Sequence, residues 1–172
     1  MTTYPKTKAV LNEWKNYVVL SSRSRLRLSG TYKGSRLQKS IKGTVTQKLF
    51  RDGRGRFTGG GTLPLLTFSF NDYGEFVDQG VTGRDSSIKG HVSNGAYKYK
   101  KSKQRIPVSA VKKWAKQRGL NPWAVSMNVH RRGIKRSLFF SRPFELSMKR
   151  FLDRFVNAIA EDEVNNIYRD LK

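Results

Sequence analysis

The residues in this chain best suited to chemistry are three carboxylates, Asp72, Glu75 and Asp78. At intervals of three residues, they would lie near one another on a short helix, where carboxylates can hold a divalent ion at a scissile phosphate. A nuclease also needs a nearby lysine, and none is adjacent. The acids leave two hypotheses open: a metal-dependent nuclease, or helix-face acids that pair with basic neighbours.

Other catalytic patterns are missing from the sequence. His91 and His130 are far apart, and neither has a metal-ligand spacing such as H-E-x-x-H. The chain contains no G-x-x-x-x-G-K-[ST] phosphate loop and no G-x-S-x-G nucleophile elbow. We therefore expect a protein that is not an enzyme and that uses neither a metal nor a cofactor.

Charge is the dominant feature of the composition. Thirty-five Lys and Arg stand against 12 Asp and Glu, which gives a formal net charge of +23 over 172 residues. Such an excess repels itself in the folded state, so a polyanionic partner is the natural explanation. The acids collect elsewhere, around Asp72–Asp85 and in the C-terminal segment.

Two basic tracts are the candidate contact sites. The first places arginines among glycines, and the second interleaves lysines with Tyr97 and Tyr99, a composition that tracks a phosphate backbone. No base-reading motif accompanies them, so we expect sequence-independent contact with nucleic acid, or contact with acidic protein neighbours. The candidate residues are Arg51, Arg54, Arg56, Lys98, Lys100, Lys101, Lys103 and Arg105.

Length and composition set the organisation. A chain of 172 residues predicts one domain over 1–172, with a basic projecting loop over about 82–105. The absence of cysteine fits a reducing compartment. No secretory signal and no long apolar run is present, so we expect synthesis in the cytoplasm and no membrane contact.

Hydrophobic periodicity and punctuation by Gly, Pro and Asn define the elements that must position these residues. Together they predict an α+β fold, with a small antiparallel sheet or partial barrel, an N-terminal helix, crossing helices and a long C-terminal helix. The predicted elements are a helix over Ala9–Leu28, strands over Leu37–Phe50 and Leu63–Phe70, helices over Tyr73–Gln79, Pro107–Arg118 and Pro122–Arg132, a strand over Ile134–Phe140, and a helix from Pro143 almost to Leu171.

The C-terminal helix carries more apolar surface than one small domain would bury. At 1.5 Å per residue it extends roughly 40 Å. We therefore expect its outer part to pack on a neighbouring subunit. Its predicted stripe consists of Phe144, Met148, Phe151, Phe155, Ile159 and Val164, joined by Leu152, Val156 and Ile167.

Two segments resemble a known family. The segment Tyr73-Gly-Glu-Phe-Val-Asp-Gln-Gly is similar to the Y-x-x-[FY]-V-[ED]-x-G segment of the tail-completion or neck proteins of tailed bacteriophages. The order of the predicted elements also resembles that family, whereas the helix pair over 107–132 and the basic loop before it depart from it. The matching residues are Tyr73, Phe76, Val77, Asp78 and Gly80, and, in a second segment similar to the family's late R-P-F, Arg142, Pro143 and Phe144.

The resemblance implies a structural virion protein at the head–tail junction. Proteins of this class form a ring of six or twelve copies between the portal–adaptor complex and the tail, and line or seal the channel for genomic DNA. The main alternative is a free-standing DNA- or RNA-binding protein that does not read sequence. The two differ in assembly, because only the neck protein should form rings on a portal-side partner.

Overall fold

The computed structural model describes residues 3–28, 34–51, 57–99 and 106–171. The described residues form an α+β fold with a long C-terminal helix, as the sequence predicts. The elements are α1 (Pro5–Leu28), α2 (Arg36–Ser40), β1 (Lys42–Arg51), β2 (Phe57–Ser69), α3 (Tyr73–Gln79), β3 (Val81–Thr82), β4 (Tyr97–Lys98), α4 (Val108–Lys116), α5 (Pro122–Arg132), β5 (Gly133–Ile134) and α6 (Ser141–Asp170).

The chain divides into two compact units. The first comprises Met1–Asn71 and Phe139–Lys172, and the second comprises Asp72–Leu138. The prediction of a single domain over 1–172 stays a prediction, because two compact units can belong to one domain.

No helix in the described ranges is both long and apolar enough to cross a membrane.

In the first unit, α1 and α6 pack against each other along a seam that repeats about every four residues. The buried residues of α1 are Thr7, Leu11, Val18, Ser22 and Leu26, and Thr7 and Trp14 contact α6 directly. The buried residues of α6 are Pro143, Ser147, Phe151, Ala158, Asp162 and Asn166. Small and polar side chains alternate with Phe151, so the two helix backbones can approach closely.

Aromatic rings fill the centre of this unit. Trp14 stacks on Phe144 and Phe151, with ring centroids 5.3 and 5.9 Å away. Phe68 of β2 meets Phe144 edge-on. Large rings bury much area per residue, which gives a chain with only 37% hydrophobic residues a real core. The other rings of the cluster are Phe70, Phe139 and Phe140.

Strands β1 and β2 form an antiparallel hairpin. The register runs from Lys42 opposite Ser69 to Leu49 opposite Thr62, and shifts between Leu49 and Arg51. The second unit has a smaller mixed sheet in the order β4-β3-β5, in which β3 is parallel to β4 and antiparallel to β5.

The start of the predicted first strand requires correction. Residues 36–40 form α2 instead, because the Ser35 side chain accepts a hydrogen bond from the Gln38 N–H and caps a helix. Leu37 and Ile41 are buried as predicted, but four residues apart they fit one helix turn as well as strand alternation.

The second strand starts earlier than predicted, at Phe57, and Pro64 lies within it opposite Gln47. A two-stranded sheet leaves one edge of each strand without a partner, which is where proline is tolerated.

The predicted strand over Ile134–Phe140 is mostly wrong, since β5 ends at Ile134. The N–H groups of Ser137 and Leu138 bond instead to the Val77 and Asp78 carbonyls of α3.

The predicted stripe of α6 is only partly buried. Phe151 is buried and Phe144, Phe155 and Ile159 are half-buried, whereas Met148 and Val164 are exposed. The buried side of α6 instead includes Ser147, Ala158, Asp162 and Asn166. Because these residues are small or polar, a pattern of hydrophobic residues does not reveal them.

Candidate nucleic-acid interface

The second unit contains a pair of helices, α4 and α5, which follow the basic tract of residues 98–105 in the sequence. Helix α5 begins where the Asn121 side chain accepts a hydrogen bond of 2.9 Å from the Trp123 N–H, with Pro122 in the first turn, and it ends at Gly133. The turn from α4 passes through Gly119, whose φ is +65°. The Leu120 N–H closes this turn on the Ala115 carbonyl at 2.9 Å. These ends match the sequence prediction for α5.

The last carbonyls of α5 bind the segment that follows β3. The N–H groups of Arg84, Asp85 and Val92 donate to the carbonyls of His130, Arg131 and Arg132 at 3.3, 3.1 and 2.8 Å. These contacts satisfy acceptors that a helix end leaves open. The described part of the predicted projecting loop therefore lies against α5 within its own unit.

Asp85 adds an ion pair to this attachment. Its carboxylate lies 2.8 Å from the Arg131 guanidinium and also accepts a hydrogen bond of 2.5 Å from the Ser87 hydroxyl. The Ser87 bond and then the Arg131 bond lower the pKa of Asp85 below its usual value. The carboxylate is therefore ionised at neutral pH and is engaged with Ser87 and Arg131.

Helix α4 presents an exposed cationic face. Ser109, Lys112, Lys113 and Lys116 are exposed and lie within about 100° of one another around the helix axis. Val111, Trp114 and the fully buried Ala115 occupy the other side. Lysines at i and i+4 repel each other, so this face carries a local cost in helix stability.

Two other acids of this unit have partners of their own or are buried. Glu75 accepts a hydrogen bond from the Tyr97 hydroxyl, which raises the pKa of Tyr97. Asp78 is buried and accepts a hydrogen bond of 2.9 Å from Gln79. No acid occurs in the sequence between Asp85 and Glu145. Among the described residues, no ion pair involves a lysine of α4.

Most of the predicted basic site lies outside the described residues. Lys98 is exposed on β4, where its backbone pairs with Thr82. Arg51 ends β1 opposite Phe57, but its side chain is not among those described. Also outside the described residues are Arg54, Arg56, Lys100, Lys101, Lys103 and Arg105.

The first family-like segment forms α3 and its C-terminal turn. Val77 and Asp78 are buried, while the Phe76 ring meets Tyr97 edge-on at 4.8 Å and Tyr73 is exposed. Gly80 ends the helix with a φ of +78°, which L side chains rarely adopt. These residues have structural roles in the second unit.

The second family-like segment opens α6. Arg142 is exposed, Pro143 is buried in the first turn, and Phe144 lies in the aromatic cluster. The Pro143 and Phe144 carbonyls both accept hydrogen bonds from the Ser147 hydroxyl, which itself accepts one from the Trp14 indole N–H. This segment therefore joins α6 to α1.

The candidate metal ligands do not converge. Asp72 is exposed, Glu75 bonds Tyr97 and Asp78 is buried. Within the described ranges, no three His, Cys, Asp or Glu side chains are placed to hold a metal ion. His91 contacts the Gly83 carbonyl at 3.0 Å, and His130 packs beside Tyr99 with ring centroids 4.9 Å apart.

Sequence reasoning did not select the lysines of α4 as site residues. Lys112, Lys113 and Lys116 belong to a basic stretch, but their shared exposed face becomes visible only once α4 is placed on Ala115. The run without acids between Asp85 and Glu145 was the available signal.

Comparisons with known proteins do not identify this chain. No family model matches it, and neither does any curated protein or solved structure.

Proposed function

We propose that this chain is a structural protein of a tailed-bacteriophage virion that forms a closed ring at the head–tail junction. In this role it joins the portal–adaptor complex to the tail and lines or seals the DNA channel, in six or twelve copies. The resemblance of the segments at Tyr73–Gly80 and Arg142–Phe144 to neck proteins motivates the proposal.

An exposed apolar flank on α6 is the observation that carries the proposal. The side chains of Met148, Leu152, Val156, Ile167 and Leu171 are 43% to 78% exposed. They are separated by one turn or by three turns of helix, so they follow one side of α6 and its C-cap, beside the seam with α1. Leaving such a row in water is unfavourable, at about 25 cal/mol per Å² of apolar surface. A second copy packed along this flank would remove it from water.

The charge of the chain supports the same role. Each subunit brings a net charge of +23, which a ring multiplies around one axis. DNA passing through such a ring would be held by its phosphates without any need to read bases.

The alternative is a free-standing, sequence-independent nucleic-acid-binding protein. The run without acids between Asp85 and Glu145 favours nucleic-acid binding but does not require a ring. Self-association separates the two functions, because a free-standing binder should remain monomeric or dimeric while binding duplex tightly at physiological salt.

Substitutions on the flank test the ring. We expect Leu152→Gln with Ile167→Gln to abolish assembly into rings and leave the free energy of unfolding of the monomer within about 0.5 kcal/mol, because both side chains are exposed. Light scattering of the protein mixed with its portal–adaptor complex measures the assembled mass.

The matched control is Leu20→Gln with Leu28→Gln, two exposed leucines of α1. Assembly that persists in the α6 variant, or that fails equally in the α1 variant, would remove the flank as the subunit interface.

A further inference from the structure

The exposed face of α4 is a surface of high positive charge density. Lys112, Lys113 and Lys116 project within one turn, and Lys112 and Lys116 are about 6 Å apart along the helix axis. The duplex backbone carries one negative charge per roughly 1.7 Å of its axis. Three lysines on one turn therefore match a short run of phosphates in charge density. The adjacent Ser109 hydroxyl can also donate a hydrogen bond to phosphate.

Nothing in the described part of the chain neutralises this face. Among the described residues, Asp85 is paired with Arg131, and no ion pair involves Lys112, Lys113 or Lys116. Glu75 bonds Tyr97, and Asp78 is buried. The cost of like charges at i and i+4 is thus not offset within the described residues, and an external polyanion would offset it.

The way α4 is held makes the face a fixed surface. Ala115 is fully buried, and Trp114 lies under the guanidinium of Arg118 at 4.7 Å. The Leu120 N–H bonds back to Ala115, and Ser126 of α5 donates a hydrogen bond of 2.5 Å to the Ile106 carbonyl just before α4. A helix anchored at both ends fixes the backbone positions of its lysines relative to one another, so binding need not order the helix.

We propose that Ser109, Lys112, Lys113 and Lys116 of α4 bind the phosphate backbone of duplex DNA. This surface is distinct from the two basic tracts, and because its contacts are with phosphates, its binding does not depend on sequence. The choice of duplex DNA as the ligand rests on the proposed function. The binding itself requires one subunit and no ring.

The test compares two triple variants that lose the same charge. One replaces Lys112, Lys113 and Lys116 with Gln, and the other replaces the exposed Lys8, Lys149 and Arg150 of α1 and α6 with Gln. Fluorescence anisotropy with a labelled duplex, between roughly 50 and 200 mM NaCl, gives the dependence of log K on log salt. Circular dichroism verifies folding, because exposed Lys→Gln changes keep helix propensity.

We expect the α4 variant to lower the salt slope by about 0.9 for each lost contact, up to about 2.7, equally on two duplexes of unrelated sequence. A third variant with Arg at the same three positions should keep the slope. An equal reduction in the control variant would show that net charge alone is responsible and would overturn the proposal. An unchanged slope in the α4 variant would overturn it as well.

Assembly separates this proposal from the proposed function. The α4 variant should still form rings on the portal–adaptor complex, because its substitutions leave the α6 flank unchanged. An unchanged salt slope in the α4 variant, with intact rings, would refute only the α4 surface, whereas a lowered slope without any ring formation would refute only the neck role.

Discussion

A single buried carboxylate ties the two long helices together. Asp162 of α6 is 1% exposed and accepts hydrogen bonds from the backbone N–H groups of Lys6 and Thr7, at 3.2 and 2.8 Å, and from the Thr7 hydroxyl at 2.7 Å. The first N–H groups of a helix have no partner within it, and the helix dipole favours a negative charge there. Asp162 therefore caps α1 from another element.

Neighbouring contacts extend this attachment. The Tyr4 hydroxyl donates to the Glu163 carboxylate at 2.5 Å, which raises the pKa of Tyr4 to about 12. The Asn166 side chain exchanges hydrogen bonds with the backbone of Thr3. Acids near the end of α6 thus serve the fold as well as the charge balance.

Replacing Asp162 tests the cap. We expect Asp162→Asn to lower the free energy of unfolding by roughly 1.5–3 kcal/mol, because hydrogen bonds to a buried charge are lost or weakened. Urea denaturation measures the change. The control is Glu161→Gln, one residue away, whose ion pair with Lys6 is more than half exposed and screened by solvent, so its loss should change the free energy of unfolding much less. Equal losses in the two variants would contradict the capping role.

At the residue scale, the sequence shows which side chains are charged but not which of them have a structural role. The sequence shows a group of acids in the C-terminal segment, which includes Asp162. Only the fold shows that Asp162 lies against α1. The shared face of the α4 lysines follows from the helix period, but that this face stays exposed depends on the burial of Ala115 on the opposite side. Periodicity in sequence reports local neighbours, whereas these roles depend on contacts between residues distant along the chain.

Among the elements, the short helix α3 depends most clearly on one glycine. Gly80 has a φ of +78° and a ψ of 162°, a region open to glycine and little else. A Cβ there would lie 2.8 Å from the Arg136 N and 2.9 Å from the Ile134 carbonyl oxygen. Gly80 therefore permits both the turn out of α3 and the close approach of the chain after β5.

A second glycine separates the cost of backbone strain at a positive φ from the cost of the steric clash. We expect Gly80→Ala to lower the free energy of unfolding by roughly 1–3 kcal/mol for the backbone strain, with a further loss from the clash. Gly90→Ala is the control, since Gly90 has a φ of +83° but no atom within 4 Å of the added Cβ. Chemical denaturation of both variants gives the difference. A cost at Gly90 equal to that at Gly80 would show that packing against residues 134–136 contributes nothing.

At the scale of elements, capping residues and glycines correctly predicted where helices end. The prediction failed where one segment fits both a helix and a strand. The ends of α3 and α5 were predicted from Gly80, Asn121 and Gly133, whose conformations are fixed by their own chemistry. The sequence predicts a strand from Leu37, because the spacing of Leu37 and Ile41 fits both a helix and a strand. The cap by Ser35 makes residues 36–40 a helix. The seam of α6 was misread because its buried positions are small or polar, and their burial depends on α1.

For the whole molecule, the central question is what covers the apolar flank of α6 and what neutralises the charge. A closed ring around DNA at a phage neck would do both, with copies packed along the flank and phosphates facing the cations. The fold class of the described residues was predicted from the sequence. Assembly depends on which surfaces of two subunits meet, and the sequence of one chain does not show this.

Negative-stain imaging of the purified protein, alone and mixed with its portal–adaptor complex, tests this account most directly. We predict closed rings of uniform copy number, six or twelve, on the portal–adaptor complex, and we predict that the Leu152→Gln, Ile167→Gln variant leaves that complex bare. A monomer that ignores the complex, yet binds free duplex below micromolar concentration at physiological salt, would contradict the neck role.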